Sequence, residues 1–468
     1  MSNRIILLFL GIVLSLKLTA QSSDWSPAGI PIHGRSILCM YTDTVNNVFY
    51  VTGQILKTPT DFSSFYIARY DGISWDTIGG FNQQIFSLAV YNGDLIACGS
   101  FTTINGNPIY TIAKFDGSNW SALGNFDDQV NRVKVIGTDL YAVGSYNLVN
   151  GTTAHGVAKW NGTVWTDVNA FPGDPTGHIL FDIALYKGNI YISGNFQAFG
   201  LKCVAVFKGG SWQNINGGIL GSFAYVYEMA TYKDELYFSG MIMKSAGNTG
   251  HMIQKWNDTI WSEVGGSVRD YSGGYNLCQI FDILVYEDNL YVGGGFGYAG
   301  NIPAAEIARW DGEKWCNFGT DPMFSTGFGT GGVLALGIFN DTLYLGIAND
   351  TVNGVHTDRC IKYLDGITVD SCSMIYTAVD EVVQNNELSI YPNPACCSFT
   401  IELDLTRINN CSIEIKNTLG QTVKSIAINE SSNGKHRLLI NIQDLTAGVY
   451  LLQVMNDGKV YTKKLLKH

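Results

Sequence analysis

Charge is scarce in this chain: Asp, Glu, Lys and Arg together make up 15% of its 468 residues. Long surface helices draw on Glu, Lys and Arg beside Ala and Leu, so the shortage argues against a helical architecture. Positive charge is the scarcer sign, 29 Lys+Arg against 40 Asp+Glu. The acidic excess lies in residues 21–372, whereas residues 386–468 lean basic. An acidic body lacks the cationic footprint that a phosphate backbone demands, which sets nucleic acid aside as a partner. After the N-terminus no apolar run approaches the roughly 20 residues of a membrane span. There is no Cys-x-x-Cys pair at zinc spacing, no DxDxDG calcium loop, no GxSxG and no phosphate-binding glycine loop. The seven His are scattered. His155 and His251 share one repeat phase and are expected as rim residues, not ligands. No cofactor is therefore expected, and nucleophilic catalysis finds no motif.

What the chain does have is glycine, 53 residues of it, and aromatics at 12%. With Val, Ile and Thr these suit twisted strands and tight turns, so an all-β fold with a large core is expected. A nine-residue phrase recurs: IARYDGISW from Ile67, IAKFDGSNW from Ile112, VAKWNGTVW from Val157 and IARWDGEKW from Ile307. Weaker copies start at Val204, Ile253 and Ile361. A second phrase of the type LYVGG runs in step, from Phe49, Leu95, Leu140, Ile190, Leu236, Leu290 and Leu343. Trp25, Trp75, Trp120, Trp165, Trp212, Trp261 and Trp315 keep the same beat, 45–54 residues apart. Each unit holds four alternating stretches divided by Asn-Gly or Asp-Gly, whose positive-φ positions suit two-residue hairpins. Four antiparallel strands repeated seven times at this period predict a seven-bladed β-propeller over residues 21–372. One Trp per repeat at a fixed phase is core filling between blades.

Trp25 opens a fourth strand with no third strand before it, and the last unit has a poor fourth strand of its own. Either the N-terminal strand completes the last blade and closes the ring, or the tail ITVDSC after Gly366 takes that place. The glycine-rich end of LYVGGGF followed by IARWDGEKW resembles the kelch repeat. The paired glycine of that phrase stands only at Gly293-Gly294, so the match is degenerate. Asp and Gly are adjacent in the third-to-fourth turn, unlike the sialidase Asp-box. The kelch-like resemblance implies a fold and leaves the chemistry open.

Both ends read as addresses. Arg4, the apolar run Ile5 to Leu16 and the small residues before Gln21 predict a secretory signal peptide over residues 1–20. Residues 373–387 form a polar linker. Residues 388–468 then alternate as about seven short strands divided by Pro, Gly and Asn-Asp turns, the pattern of a small Ig-like β-sandwich. This segment resembles the type A C-terminal sorting domain of the type IX secretion system. The match rests on Tyr391-Pro392-Asn393-Pro394, the turn at Asn417 to Gln421 with Gly420, the segment Leu445 to Tyr450 with Gly448, and the basic end with Lys463 and Lys464. The resemblance implies a Gram-negative cell, passage through periplasm and outer membrane, the type IX machinery as partner, and release or anchoring at the cell surface. It also implies that the tail is removed on the way.

Ten Cys in an exported chain permit disulfides. Cys360 with Cys372, and Cys411 with Cys396 or Cys397, are the pairs the hairpins bring within reach. Cys within apolar strands are expected as buried free thiols.

Chemistry has two candidate places. The longest loops carry Phe171, Tyr271, Tyr275, Phe324 and Phe328, aromatics that can stack on a sugar or grip a peptide. Alignment of the first strands puts Ser87, Arg132, Asp182, Glu228 and Asp282 at one phase. Three successive carboxylates beside an Arg can bind Ca²⁺ or serve as acid and base; they can equally form a hydrated channel wall with an Arg–Asp pair. The sequence thus points to an exported, non-catalytic module that binds glycan or protein. The alternative is a carbohydrate-active hydrolase or lyase using Asp182, Glu228, Asp282 and Arg132.

Overall fold

The computed structural model describes residues 25–30, 33–58, 60–168, 177–198, 200–270, 274, 278–304, 306–318, 332–352, 355–364, 388–405, 411–417, 421–428, 434–446, 448–456 and 459–467. The signal segment, the linker and ITVDSC lie outside them. The chain divides into two compact units, residues 1–375 and 376–468.

Among the described residues the first unit holds seven antiparallel meanders of four strands, one of them extended to six. Sheet one runs His33–Asp43, Val48–Leu56, Phe65–Tyr70 and Trp75–Phe81. The inner, first strands of sheets two to seven are Ile85–Tyr91, Val130–Ile136, Ile179–Tyr186, Tyr225–Tyr232, Gln279–Tyr286 and Val333–Phe339. Each inner strand touches the next, and that of sheet seven touches that of sheet one. The arrangement is β-propeller-like. Sheet seven takes its fourth strand from the N-terminus: Trp25–Pro27 pairs with Cys360–Tyr363, with Trp25 opposite Tyr363. Of the two ways to finish the last unit, the N-terminal strand occupies the edge and covers it.

The tryptophans sit where sheets meet. The indole N–H of Trp165 donates to the Leu123 carbonyl of the preceding sheet at 2.7 Å, and Trp261 does the same to Ile215 at 3.0 Å. Trp212 and Trp315 repeat the contact with Val168 and Val264. An aromatic body fills the seam while its one donor is satisfied across it, so each Trp ties two sheets together.

Every inner strand carries a β-bulge at the same place, the extra residue being Leu38, Phe86, Asn131, Phe181, Tyr227, Phe281 or Leu334. The bulge explains the glycine that ends six of the seven second-strand phrases. It pushes an inner-strand carbonyl against the second strand, so that a Cβ on Gly194 would lie 2.1 Å from the Ile179 oxygen. The same close approach recurs at Gly294 with Gln279. Only a residue without a side chain fits there.

Among the described residues the second unit has seven strands in two sheets. One holds Leu388–Tyr391, Ser398–Leu405 and Gly434–Asn441; the other holds Thr422–Ile428, Cys411–Lys416, Gly448–Asn456 and Lys459–Lys467. Alternate residues of both, including Phe399, Ile401, Ile413, Ile415, Leu452 and Val454, form one core, as period-two patterning requires.

The thiols correct part of the sequence reading. Cys39, Cys98, Cys203, Cys278 and Cys360 are free and buried. Cys360 is therefore not bonded to Cys372; among the described residues Cys316 is disulfide-bonded. Cys396 and Cys397 are also free, their sulfurs 3.2 Å apart, so neither pairs with Cys411. His251 is buried, and its Nδ1 accepts from the Lys244 backbone N–H at 3.2 Å.

Candidate functional site

Just past each bulge one side chain turns back toward the inner ring: Cys39, Ser87, Arg132, Asp182, Glu228, Asp282 and Ala335 in sheets one to seven. Their contacts show that they converge. Arg132 of sheet three lies 3.5 Å from Asp182 of sheet four and 3.3 Å from Glu228 of sheet five. Only a position on the inner side of the strands lets one guanidinium serve two successive sheets. Cys39, from sheet one, feels the charges of Arg132, Asp282 and Glu228.

Most of these side chains do one repeated job. The Ser87 hydroxyl faces the Val133 N–H of the next sheet at 3.4 Å. Asp182 accepts from the Met229 N–H at 2.8 Å, and Asp282 from the Leu336 N–H at 2.6 Å. Cys39 accepts likewise from Leu88. An inner strand is an edge, and its inward N–H groups need acceptors. The preceding sheet supplies one, so these residues lace sheet to sheet.

Asp182 is fully buried and also receives Lys134, whose ammonium lies 2.7 Å from one carboxylate oxygen. Glu228 and Asp282 hydrogen-bond to each other. Burial drives the Glu228 carboxyl well above the usual range; Arg132 opposes this, and the neighbouring carboxylates reinforce it. Burial also raises Asp282, while its bond from Glu228 holds it lower. Of the two, Glu228 is the one driven further toward its neutral form. Burial of Arg132 disfavours its charge, but Glu228 and Asp182 outweigh that and hold it firmly protonated. Burial pushes the Cys39 thiol up to about 11.

The structure therefore brings together all four alternative candidates, Arg132, Asp182, Glu228 and Asp282. It adds Lys134, which the alignment of inner strands passed over because it stands two residues beyond Arg132. It also adds an aromatic layer from the bulges. Phe181 and Tyr227 have ring centroids 5.4 Å apart, and Tyr227 stacks on Phe281 at 6.1 Å. Tyr225 joins them 6.0 Å from Tyr227. These rings are half-buried, and burial raises the Tyr227 phenol to about 12. The signal for them was present one residue before the carboxylate phase. Among the described residues no group of three or more His, Cys, Asp or Glu is placed to hold a metal ion. Phe171, Tyr271, Tyr275, Phe324 and Phe328 lie outside the described residues.

In the second unit side-chain bonds fix several of the residues that carry the sorting-domain resemblance. The Asn393 side-chain amide donates to the Lys464 carbonyl at 2.7 Å and its oxygen accepts from the Leu466 N–H at 2.8 Å. Tyr391, half-exposed beside Pro392 and Pro394, donates to Glu402 at 3.1 Å. Tyr450 is buried and donates to the Thr446 carbonyl at 2.8 Å, with Gly448 between them in sequence. Lys463 and Lys464 pair with Leu452 and Leu451 on the neighbouring strand. Gly420 lies outside the described residues.

Residues 389–468 match the secretion-system C-terminal sorting domain family. They mark the chain as type IX cargo, exported to the cell surface or the extracellular space. Among the described residues no helix is long and apolar enough to cross a membrane. Ulvan lyase NLR42 of Nonlabens ulvanivorans is 38% identical over 80 residues, 17% of this chain and 14% of that protein. Among solved structures, PorZ, a surface component of the type IX secretion system of Porphyromonas gingivalis, is 13% identical with a TM-score of 0.44, covering 92% of this chain and 59% of its own. The GH74 enzyme of Niastella koreensis is 11% identical with a TM-score of 0.39, covering 91% of this chain and 65% of its own. The chain thus spans under two thirds of each of these proteins.

Proposed function

We propose that this chain is type IX cargo whose first unit is a seven-bladed, kelch-like β-propeller acting as a non-catalytic binding module for extracellular glycan or protein. In this reading residues 1–20 are a signal peptide, 21–372 the propeller, 373–387 a linker and 388–468 the sorting domain. The observation that carries it is the use of the ring carboxylates. Asp182 and Asp282 are each bonded to a backbone N–H of the next sheet, and Asp182 is also held by Lys134. A general acid or base must reach a substrate proton; these oxygens are turned to the architecture. The second reading, a carbohydrate-active hydrolase or lyase, draws on a Glu228 carboxyl pushed well above its usual range beside Asp282.

The test incubates the full chain with glycans and extracellular proteins, recording binding and product masses together, for wild type and Glu228→Gln. Binding without new masses supports the module. New masses that vanish in Glu228→Gln would replace it with the enzyme.

A further inference from the structure

A cavity of about 520 Å³ opens at the seam between sheets four and five. Its walls are Asn195, Gln197, Lys202 and Cys203 from sheet four, and Leu220 and Ser222 from the segment leading to sheet five, among others. The volume falls within the range of small-molecule sites. One wall is firmly built: buried Asn248 accepts from the Leu220 N–H at 2.9 Å and donates to the Leu220 and Met243 carbonyls, each at 2.8 Å.

The charge in this cavity is positive. Among its described lining residues Lys202 is the one charged side chain. Among the described residues it has no ion-pair partner, as is also true of Lys208 and Lys362, whereas Lys114, Lys134, Lys159, Lys187, Lys233 and Lys255 each have a carboxylate within 4 Å. Cys203 beside it is no counter-ion: burial raises its thiol to about 11, so it is neutral. The frame beneath Lys202 is constant. The residue before the matching third-strand position takes a left-handed φ at Cys203, Thr111, Met252 and Glu306 alike. The preceding position is variable, with Tyr110, His155, Lys202 and His251 in sheets two to five. Of these four sheets, only sheet four puts a permanent cation there.

We infer that this cavity binds an acidic sugar unit, its carboxylate or sulfate on the Lys202 ammonium and its hydroxyls on the Asn195, Gln197 and Ser222 side chains. A lone cation in a body of net negative charge selects an anion, and the amides and hydroxyl select a ligand rich in hydroxyls. Asn195 has one amide hydrogen on the Ala224 carbonyl at 2.9 Å, which fixes the group and leaves its oxygen to accept. The assignment rests on the binding reading above and names its ligand class.

The experiment is calorimetric titration of the full chain at low salt with trigalacturonate, with neutral galactotriose and with inorganic sulfate. Wild type is expected to bind trigalacturonate at least tenfold tighter than the neutral trisaccharide. Lys202→Ala should erase that preference, and Lys202→Arg should keep it. Equal affinity of wild type and Lys202→Ala for trigalacturonate, or equal affinity for both sugars, overturns the assignment. Sulfate binding as tightly as the acidic sugar overturns the saccharide part and leaves an anion site. If trigalacturonate does not bind while another glycan or protein does, this cavity's assignment fails and the binding module stands; if nothing binds, both fail.

Discussion

Replacing Glu228 with Gln tests the charge state of the inner ring. In the folded chain Glu228 keeps its proton well above the usual carboxylate range, chiefly through burial. In the unfolded chain it ionises normally. The folded state therefore binds more protons as pH rises past the ordinary carboxylate value, and stability must fall with pH there. For one proton the slope is about 1.4 kcal/mol per pH unit. It acts from the unfolded pKa up to the folded one, with the full contribution present below that window. The amide of the Glu228→Gln variant would be neutral at every pH, would still donate to Asp282, and would still offer an oxygen to Arg132. The assay is urea unfolding from pH 5 to 8, followed by tryptophan fluorescence. All ten Trp lie between residues 25 and 315, so the signal reports the first unit alone. The quantity to plot is wild-type stability minus that of Glu228→Gln. It should decline with rising pH, at up to the slope above, so that the variant gains on wild type toward pH 8. A flat difference would refute the raised Glu228 carboxyl. A difference that grows with pH would mean an ionised Glu228 stabilised by Arg132.

Gly194→Ala should destabilise the first unit by about 1–3 kcal/mol, because the new methyl meets the Ile179 carbonyl; Gly188→Ala, a positive-φ turn with open space around it, should cost less in the same urea titration. Asn393→Ala removes both side-chain bonds to the last strand. It should loosen that strand by ~1–2 kcal/mol and shift the protein from the medium or surface to the periplasm in fractionated cells; unchanged export would separate sorting from this contact.

Much of the architecture was legible because it repeats. A Trp every 45–54 residues, alternating strands and Asn-Gly or Asp-Gly turns leave one economical solution. The sorting domain was legible from linear motifs, and the family match covers the same segment. The ring carboxylates were found by phase alone. Their roles were not, since a phase says nothing of whether an oxygen faces a ligand or a neighbour's N–H. Lys134 and Lys202 escaped notice because neither stands at a marked phase with like residues. The expected Cys360 pair failed for a related reason: closeness in sequence put it beside a hairpin, but the strand buries its thiol within the core.

The sequence by itself determined the strand period, the all-β class, the tryptophan seams and the export address, because each is written locally and repeated or contiguous. Only the tertiary structure decided which end closes sheet seven, why six second strands must end in glycine, and that Arg132 reaches Glu228 past an intervening sheet. Those depend on groups far apart in the chain meeting within a few ångströms, and a linear pattern carries no distance between them.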